Sequence, residues 1–553
     1  MRQLWILLFG LVVMSCTQKI PVDQIFYNGK IFTARTANDF VNALAIKNGK
    51  ILAVGSRESI FNQYQAPDSQ IVDLNGHLVV PGFHDAHLHF YGGAKIQREV
   101  NLAGLTSLDS VLTRIATAVK RTPEGGWVIG RGWDHELWEQ KKLPNRKMLD
   151  RISIKHLIYL RRVDGHAAWV NTPVLKALRY NRFTPDPPGG KIQRDRYGNP
   201  TGILFDNAFA LLDQLIPEPT ETEKKLLIQQ AIKDANALGI TSITDNSPLD
   251  IYKIYHDLYQ EGKLTLRVNF FVFYPDNWDT TMAYLNKIGT IPHFLHAPLI
   301  KLFADGSLGS RSALLLEPYK DDPTNQGIQM HPFQELLQMV EKAESHGFQV
   351  GIHAIGDSAV REVLDVFEAL QQQHPQKRRW RIEHSQVVAP SDFLRYRDLN
   401  VIASMQPSHC ISDLHWAEER IGQRARYAYA WKTFLDNHVI LAFGTDWPVE
   451  PLNPMLGLYA AVARKDTTGY PQDGWYPEER LSMGQAIRAY TWGAAYAAGI
   501  DSWYGTLQPG READFVVLSD DLFSIPPDKI LNTTVLETYL SGKLIYKAGN
   551  LHQ

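Results

Sequence analysis

Cysteine is almost absent: Cys16 and Cys410 are the only two in 553 residues. With Cys16 used otherwise, no disulfide framework is possible, and no metal site can be built from several thiolates. Any metal must be held by imidazoles and carboxylates. A charge excess of one sign is also missing, since 57 Lys and Arg face 59 Asp and Glu for a net charge of -2. The one dense basic run, QKRRWR at Gln376–Arg381, reads as a solvated helix end. Nothing here points to a nucleic-acid partner. Long apolar runs are missing too. Leu4–Met14 is too short to cross a bilayer, and no later segment has the apolar length of a membrane-spanning helix.

What is present begins with residues 1–15, where Arg2 precedes that apolar run. The pattern is that of a signal peptide. Val13-Met14-Ser15-Cys16 resembles the lipobox of bacterial lipoproteins. This implies cleavage before Cys16, lipidation of that cysteine, and a chain exported to the bacterial cell envelope, periplasmic or surface-exposed.

Residues 16–80 and 500–553 share a texture of short apolar runs and tight turns, with Asn-Gly pairs at Asn28, Asn48 and Asn75. Asn-Gly between apolar runs is a hairpin signal. The expectation is one small β-sandwich domain built from both termini. Residues 81–101 and 220–499 alternate differently. PGFHDAHLHF, GITSITD, LRVNFFVFY, APLIKLFADG, FQVGIHAIGD, RWRIEHSQ, NVIASMQPS and VILAFGTD are eight short apolar runs, many separated by helical stretches such as Glu221–Leu238 and Ser358–Gln373. Eight β units alternating with helices argue for an α/β fold of the (β/α)8, TIM-barrel type. Residues 102–219, rich in Trp, Pro and Gly, break the alternation and read as a long insertion after barrel strand 1. A segment of that size must carry its own structure.

His87 and His89 lie two apart on the first strand and share a face. Two inward imidazoles are costly to desolvate and repel when charged. A shared metal relieves both problems. Lys301, His353, His384 and Asp446 sit at the ends of other barrel strands, which converge on one rim. Together they form a candidate metal-ligand set. His84 is one pleat too early and reads as a core or supporting group. Asp134 and His135, and Arg162, Asp164 and His166, belong to the insertion, where they either reach substrate or hold the insertion together. Asp305 and Arg311 follow the fourth strand and suit substrate or loop control. Gln406 and His409 end the seventh strand and could line the mouth, and Trp447 could wall it.

With PGFHDAHLH, GWDHELW, RVDGHAAWVN, IKLFADGSLGSRSA, GIHAIGD, IEHSQ, FGTDWPV and GTLQPGREADFVVL, the chain resembles the amidohydrolase superfamily from about residue 23 to 548. Within it, the chain is most like the branch containing N-substituted formamide deformylases. The resemblance implies His87, His89, Lys301, His353, His384 and Asp446 as the metal-associated residues. It implies one or two divalent ions, zinc being the first expectation, and a Lys301 that can be carbamylated. Asp446 then moves the proton and His384 assists at the carbonyl, with Asp134, Arg162, Asp164, His166, Asp305, Arg311 and Gln406 on the substrate side. The expected reaction is hydrolysis of a C–N bond, such as that of an N-formyl or N-acyl amine. A cyclic amide, an ester or a deamination substrate on the same fold, and a non-catalytic metal- or solute-binding lipoprotein, are the competing readings. The expected partners are a small-molecule substrate, a second copy in a homodimer, and the membrane only through the lipid at Cys16.

Overall fold

The computed structural model describes residues 19–64, 68–376 and 378–549. The segment expected to be a signal peptide, and Cys16, therefore lie outside the described residues. Among those residues, no helix is long and apolar enough to cross a membrane. The described residues fall into two compact units, one made of those up to residue 90 together with those from 229 onward, the other of residues 91–228.

The first unit contains the barrel. Its parallel strands are β1 (Phe83–Leu88), β2 (Ile240–Asp245), β3 (Arg267–Phe273), β4 (Leu295–Phe303), β5 (Gln349–Ala354), β6 (Arg381–His384), β7 (Ile402–Met405) and β8 (Leu441–Phe443). Strands buried on both faces favour apolar side chains at consecutive positions, which is why most of them read as largely apolar runs. The helices between them are amphipathic. Val360, Val363, Leu364, Phe367 and Leu370 form one buried stripe on the helix Asp357–Gln373. The ring is completed where β8 ends: the Asp446 N–H donates to the His87 carbonyl at 2.8 Å, and the His89 N–H to the Trp447 carbonyl at 2.8 Å. Gly444 permits this approach, because a Cβ there would lie 2.5 Å from the His87 nitrogen. Asp85 locks the same seam by accepting from the Thr445 N–H at 3.0 Å and the Thr445 hydroxyl at 2.5 Å.

Both termini contribute to one hydrogen-bonded sheet of eight strands, seven along one path and Gln70–Asp73 branching off beside Gln24–Phe32. Asn48-Gly49, with φ of 53° and 75°, closes the hairpin between Phe40–Lys47 and Lys50–Gly55. The other two Asn-Gly pairs depart from the hairpin expectation. Asn28 lies within one strand, Gln24–Phe32, where the register shifts and the strand changes neighbour from Gln70–Asp73 to Leu78–Pro81. Asn75 joins those two neighbours, which do not pair with each other. The left-handed conformation that Asn favours thus serves a bulge and a connector as well as a hairpin. Phe26, Phe515 and Tyr539 pack at the centre of the sheet's apolar face.

This sheet is tied to the barrel through buried charge. Arg267 on β3 donates from Nε to Asp514 Oδ2 at 2.6 Å and from Nη2 to Glu512 Oε2 at 3.1 Å. The basic run also departs from expectation. Trp380 is buried, and Arg381 is wholly enclosed inside the barrel, paired with Glu383 and donating to the Ala86 carbonyl at 2.7 Å. A buried acid two residues away on the same strand face absorbs the charge that a solvated helix end would have given to water.

The second unit is a six-stranded mixed sheet with cores on both faces. Alternation explains this: Trp169 enters one core while Ala168 and Val170 enter the other.

Candidate metal centre

The imidazoles of β1, β5 and β6 meet at the C-terminal rim of the barrel. The ring of His87 lies 5.5 Å from those of His89 and His384, and the rings of His353 and His384 lie 4.4 Å apart. Each ring has one nitrogen facing an outer acceptor, hydrogen-bonded in His89, His353 and His384 and at ion-pair distance in His87. His87 Nδ1 faces Glu383 Oε2 at 3.2 Å, His89 Nδ1 the Asn246 carbonyl at 3.0 Å, and His384 Nδ1 the Gln406 Oε1 at 2.7 Å. His353 is held at its other nitrogen, Nε2, by the Gly306 carbonyl at 3.1 Å. An outer acceptor takes the ring N–H and leaves the second nitrogen with its lone pair for a ligand.

Asp446 stands among these rings. Its Oδ1 is 3.3 Å from His89 Nε2 and 3.5 Å from His87 Nε2, and its Oδ2 is 3.4 Å from His409 Nε2. Oδ1 and the His409 Nε2 are buried without an aligned hydrogen bond. Two groups of donors converge within 4.8 Å: His87, His89 and Asp446, and His384, His409 and Asp446. Converging imidazole nitrogens and a carboxylate at this spacing, with His409 Nε2 and Asp446 Oδ1 unsatisfied, fit a divalent ion with N/O ligands. His384 and Asp446 also hold φ of 71° and 59°, a left-handed backbone that costs a non-glycine residue roughly 1 kcal/mol. Closely set exceptions of this kind mark functional rims.

Burial, joined by the Lys301 charge, pushes His87 down to about 4 and His353 down to about 3. Burial and the neighbouring His353 hold His384 well below its ordinary value. Neutral imidazole is the form that binds metal. Burial opposes ionisation of Asp446, but His409, His89 and the other imidazoles outweigh it and keep the carboxyl well below its usual range. Burial lowers His409 as well, yet the Asp446 and Glu450 carboxylates more than compensate and raise it.

Lys301 is buried with its Nζ 3.2 Å from His87 Nε2 and 5.0 Å from the centre of the Phe303 ring. Burial pushes the ammonium down to about 8. Among the described residues, no carboxylate pairs with it.

The other anticipated residues serve differently. Asp305 spends both oxygens on backbone, accepting from Leu314, Ile355 and Gly356 at 2.8–2.9 Å, and so fastens the loop after β4 to the end of β5. Gln406 orients His384. Arg311 turns to Asp321 at 2.8 Å. None of these three lines the cavity at the rim. Asp305 and Arg311 are engaged by neighbours in the chain, and Gln406 commits its Oε1 to His384. Trp447 packs on Phe90, and His84 is a core group bonded to Thr244 at 3.0 Å. In the second unit, Arg162 pairs with Asp134 at 3.0 Å and with Asp164, while His166 bonds Asp206 at 2.8 Å.

Sequence reasoning missed Glu383, Arg381 and Asn246. The available signal was Arg381 alternating with Glu383 along an otherwise apolar strand, which puts opposite charges on one inward face. The cavity above the cluster has a volume of about 390 Å³. Phe303, Leu308, Ile355, Trp416 and Val449 give it apolar walls, and Gln386, His409 and Asp413 give it polar ones.

A closed parallel barrel with buried imidazoles and a carboxylate at its C-terminal rim defines a metal-dependent hydrolase. The model of the amidohydrolase family matches residues 70–546, and the chain belongs to that family. It is 35% identical over 546 residues to Protein LONG AFTER FAR-RED 3 of Arabidopsis thaliana, covering 95% of this chain and 92% of that one. It is 26% identical over 544 residues to the N-substituted formamide deformylase of Arthrobacter pascens, covering 95% and 98%. A crystal structure of an uncharacterized metal-dependent hydrolase from Pyrococcus furiosus superimposes with a TM-score of 0.73 at 29% identity, covering 91% of this chain and all of that one. The protein is a hydrolase acting on carbon–nitrogen bonds, in a family that typically uses a divalent metal.

Proposed function

We propose that the enzyme removes a formyl or short acyl group from an amine. The observation that carries this reading is Asp446: a buried carboxylate whose oxygens face His87 and His89 on one side and His409 on the other, in the lining of a cavity with apolar walls. The relative from Arthrobacter pascens, whose name gives a deformylase of N-substituted formamides, supports the choice of bond. His87, His89 and Asp446 would hold a divalent ion, zinc in the simplest case. Such an ion polarises a carbonyl and lowers the pKa of water from 15.7 to about 7.

The chain's own groups do the rest. Asp446 accepts a proton from the attacking water and returns it to the amine nitrogen as the C–N bond breaks, releasing a carboxylic acid and a free amine. His384, with Nδ1 committed to Gln406, offers only a lone pair at Nε2, which suits a ligand better than a donor to the carbonyl. The apolar walls, Phe303, Leu308, Trp416 and Val449, hold the amine substituent and exclude bulk water.

Lys301 carries a carbamate in this reading. A buried ammonium 3.2 Å from a ligand imidazole would repel a metal ion, and carboxylation of Nζ by CO2 replaces that cation with an anionic ligand. Intact mass in bicarbonate should exceed the unmodified mass by one CO2 in the wild type and not in Lys301→Ala. The chain is exported and anchored through Cys16, and lipid labelling should be lost in Cys16→Ser.

The defining test is release of free amine from N-formyl and N-acyl amines by zinc-loaded protein lacking residues 1–16. Opening of a cyclic amide with no turnover of any open-chain amide would overturn the substrate class and leave the hydrolase intact.

A further inference from the structure

We propose that His409 is a metal ligand, forming with His384 and Asp446 a second cation position beside the one made by His87, His89 and Asp446. The inference rests on the rim being a metal centre. It adds a donor from the end of β7, outside the set that the sequence pattern supplies.

The orientation of Asp446 carries the argument. Its two oxygens face different imidazoles: Oδ1 lies 3.3 Å from His89 Nε2 and 3.5 Å from His87 Nε2, whereas Oδ2 lies 3.4 Å from His409 Nε2. Two donors on one tetrahedral ion with bonds of about 2.0–2.1 Å sit about 3.3–3.4 Å apart. Each face of the carboxylate therefore meets its imidazoles at the spacing of two ligands on one ion. A carboxylate set between two such groups has the disposition of a bridge.

His409 itself is built as a ligand. It lies in the first turn of the helix Pro407–Asp413, and its Nε2 is buried and aimed at the centre without an aligned hydrogen bond. Its Nδ1 lies 3.7 Å from Glu450 Oε1, which the Ser412 hydroxyl in turn holds at 2.6 Å. That carboxylate, fixed by a hydroxyl, stands behind the imidazole at ion-pair rather than hydrogen-bond distance, on the side where metal-bound histidines take their outer support. His384 joins from β6, with its ligand atom and those of His409 and Asp446 all within 4.8 Å of one another. His353, the other candidate at this end, has its Nε2 occupied by the Gly306 carbonyl and can contribute only Nδ1.

The competing role for His409 is an ion pair that simply steadies Asp446, and zinc binding separates the two. Protein purified without chelator is analysed by elemental mass spectrometry and then titrated with zinc, as wild type, His409→Ala and Glu450→Gln. The wild type should hold two ions. His409→Ala should keep one and bind the other more than about 100-fold more weakly, since even outer partners of a ligand are worth about 10–100-fold. Glu450→Gln, which leaves the imidazole in place, should weaken that same ion about 10–100-fold. Matching melting temperatures of the metal-free proteins would show that the fold is intact. Two ions bound with unchanged affinity in His409→Ala, or a single ion in the wild type, would overturn the proposal and leave the hydrolase standing. No divalent ion bound by the wild type would overturn the metal-centre reading itself.

Discussion

Gln406 Oε1 lies 2.7 Å from His384 Nδ1, so an amide at the end of β7 fixes the tautomer of an imidazole at the end of β6. Gln406→Leu removes the acceptor at little change in volume. Zinc affinity should fall about 10–100-fold, as for other outer partners of metal ligands. Competition titration against a colorimetric chelator measures this. Unchanged affinity would mean that packing alone holds His384.

Asp446→Asn keeps the shape and removes the base. The kcat should fall at least about 10²–10⁴-fold, the range for loss of a positioned proton carrier. The melting temperature of the metal-free protein should stay close to that of the wild type. Hydrolysis at the wild-type rate would refute the assignment of Asp446.

The tie between sheet and barrel has a pH signature. Burial raises the Glu512 carboxyl, but the Arg267 charge and the bonds from Ser541 and His293 outweigh it and lower it below 4.5. A depressed carboxylate contributes stability that is present above its unfolded value and lost as pH falls through the folded one. Stability should therefore decline below about pH 4.5. Glu512→Gln should flatten that acid limb and cost about 2 kcal/mol at neutral pH, within the range for a hydrogen bond to a charged group. Denaturant unfolding at several pH values measures both.

Gly444→Ala places a Cβ 2.5 Å from the His87 nitrogen and 2.7 Å from Asp85 Oδ1. Neither the backbone nor the buried carboxyl can retreat. A loss of about 1–3 kcal/mol is expected from overpacking, together with weaker zinc binding, because the seam that closes the barrel also carries His87 and Asp446. Thermal unfolding and metal titration of the variant would show both losses or neither.

Removing the ion should lower stability as well as activity, since a ligand bound only by the folded state stabilises it by mass action. Chelated protein should melt below zinc-loaded protein, and added zinc should restore both melting temperature and turnover. Full activity after exhaustive chelation would argue against the metal centre.

The barrel strands were legible because they are short, largely apolar runs, several of which carry a His, Lys or Asp of the rim at or just beyond the C-terminal end. His87 and His89 were legible because alternate positions of a strand share a face. The supporting groups were not. Gln406 and Asp305 are polar residues near strand ends, and from their positions alone they look like substrate contacts, while Glu383 went unnoticed inside its strand. Whether such a residue faces a ligand or spends its polar atoms on a neighbour depends on distances between segments far apart in the chain. The Asn-Gly pairs carry the same lesson, because a local signal sets the backbone conformation without choosing the strand that pairs beside it.

By itself, the sequence determined the barrel, the order of its strands and the residue types at its rim, because those follow from hydrophobic periodicity and local backbone preference. The tertiary structure alone decided which nitrogen of each histidine is free, that Arg381 is enclosed and paired with Glu383, and that Asp446 turns one oxygen toward His87 and His89 and the other toward His409. Those are relations between strands, set by how the ring closes at Gly444 and Asp446, and no local pattern encodes them.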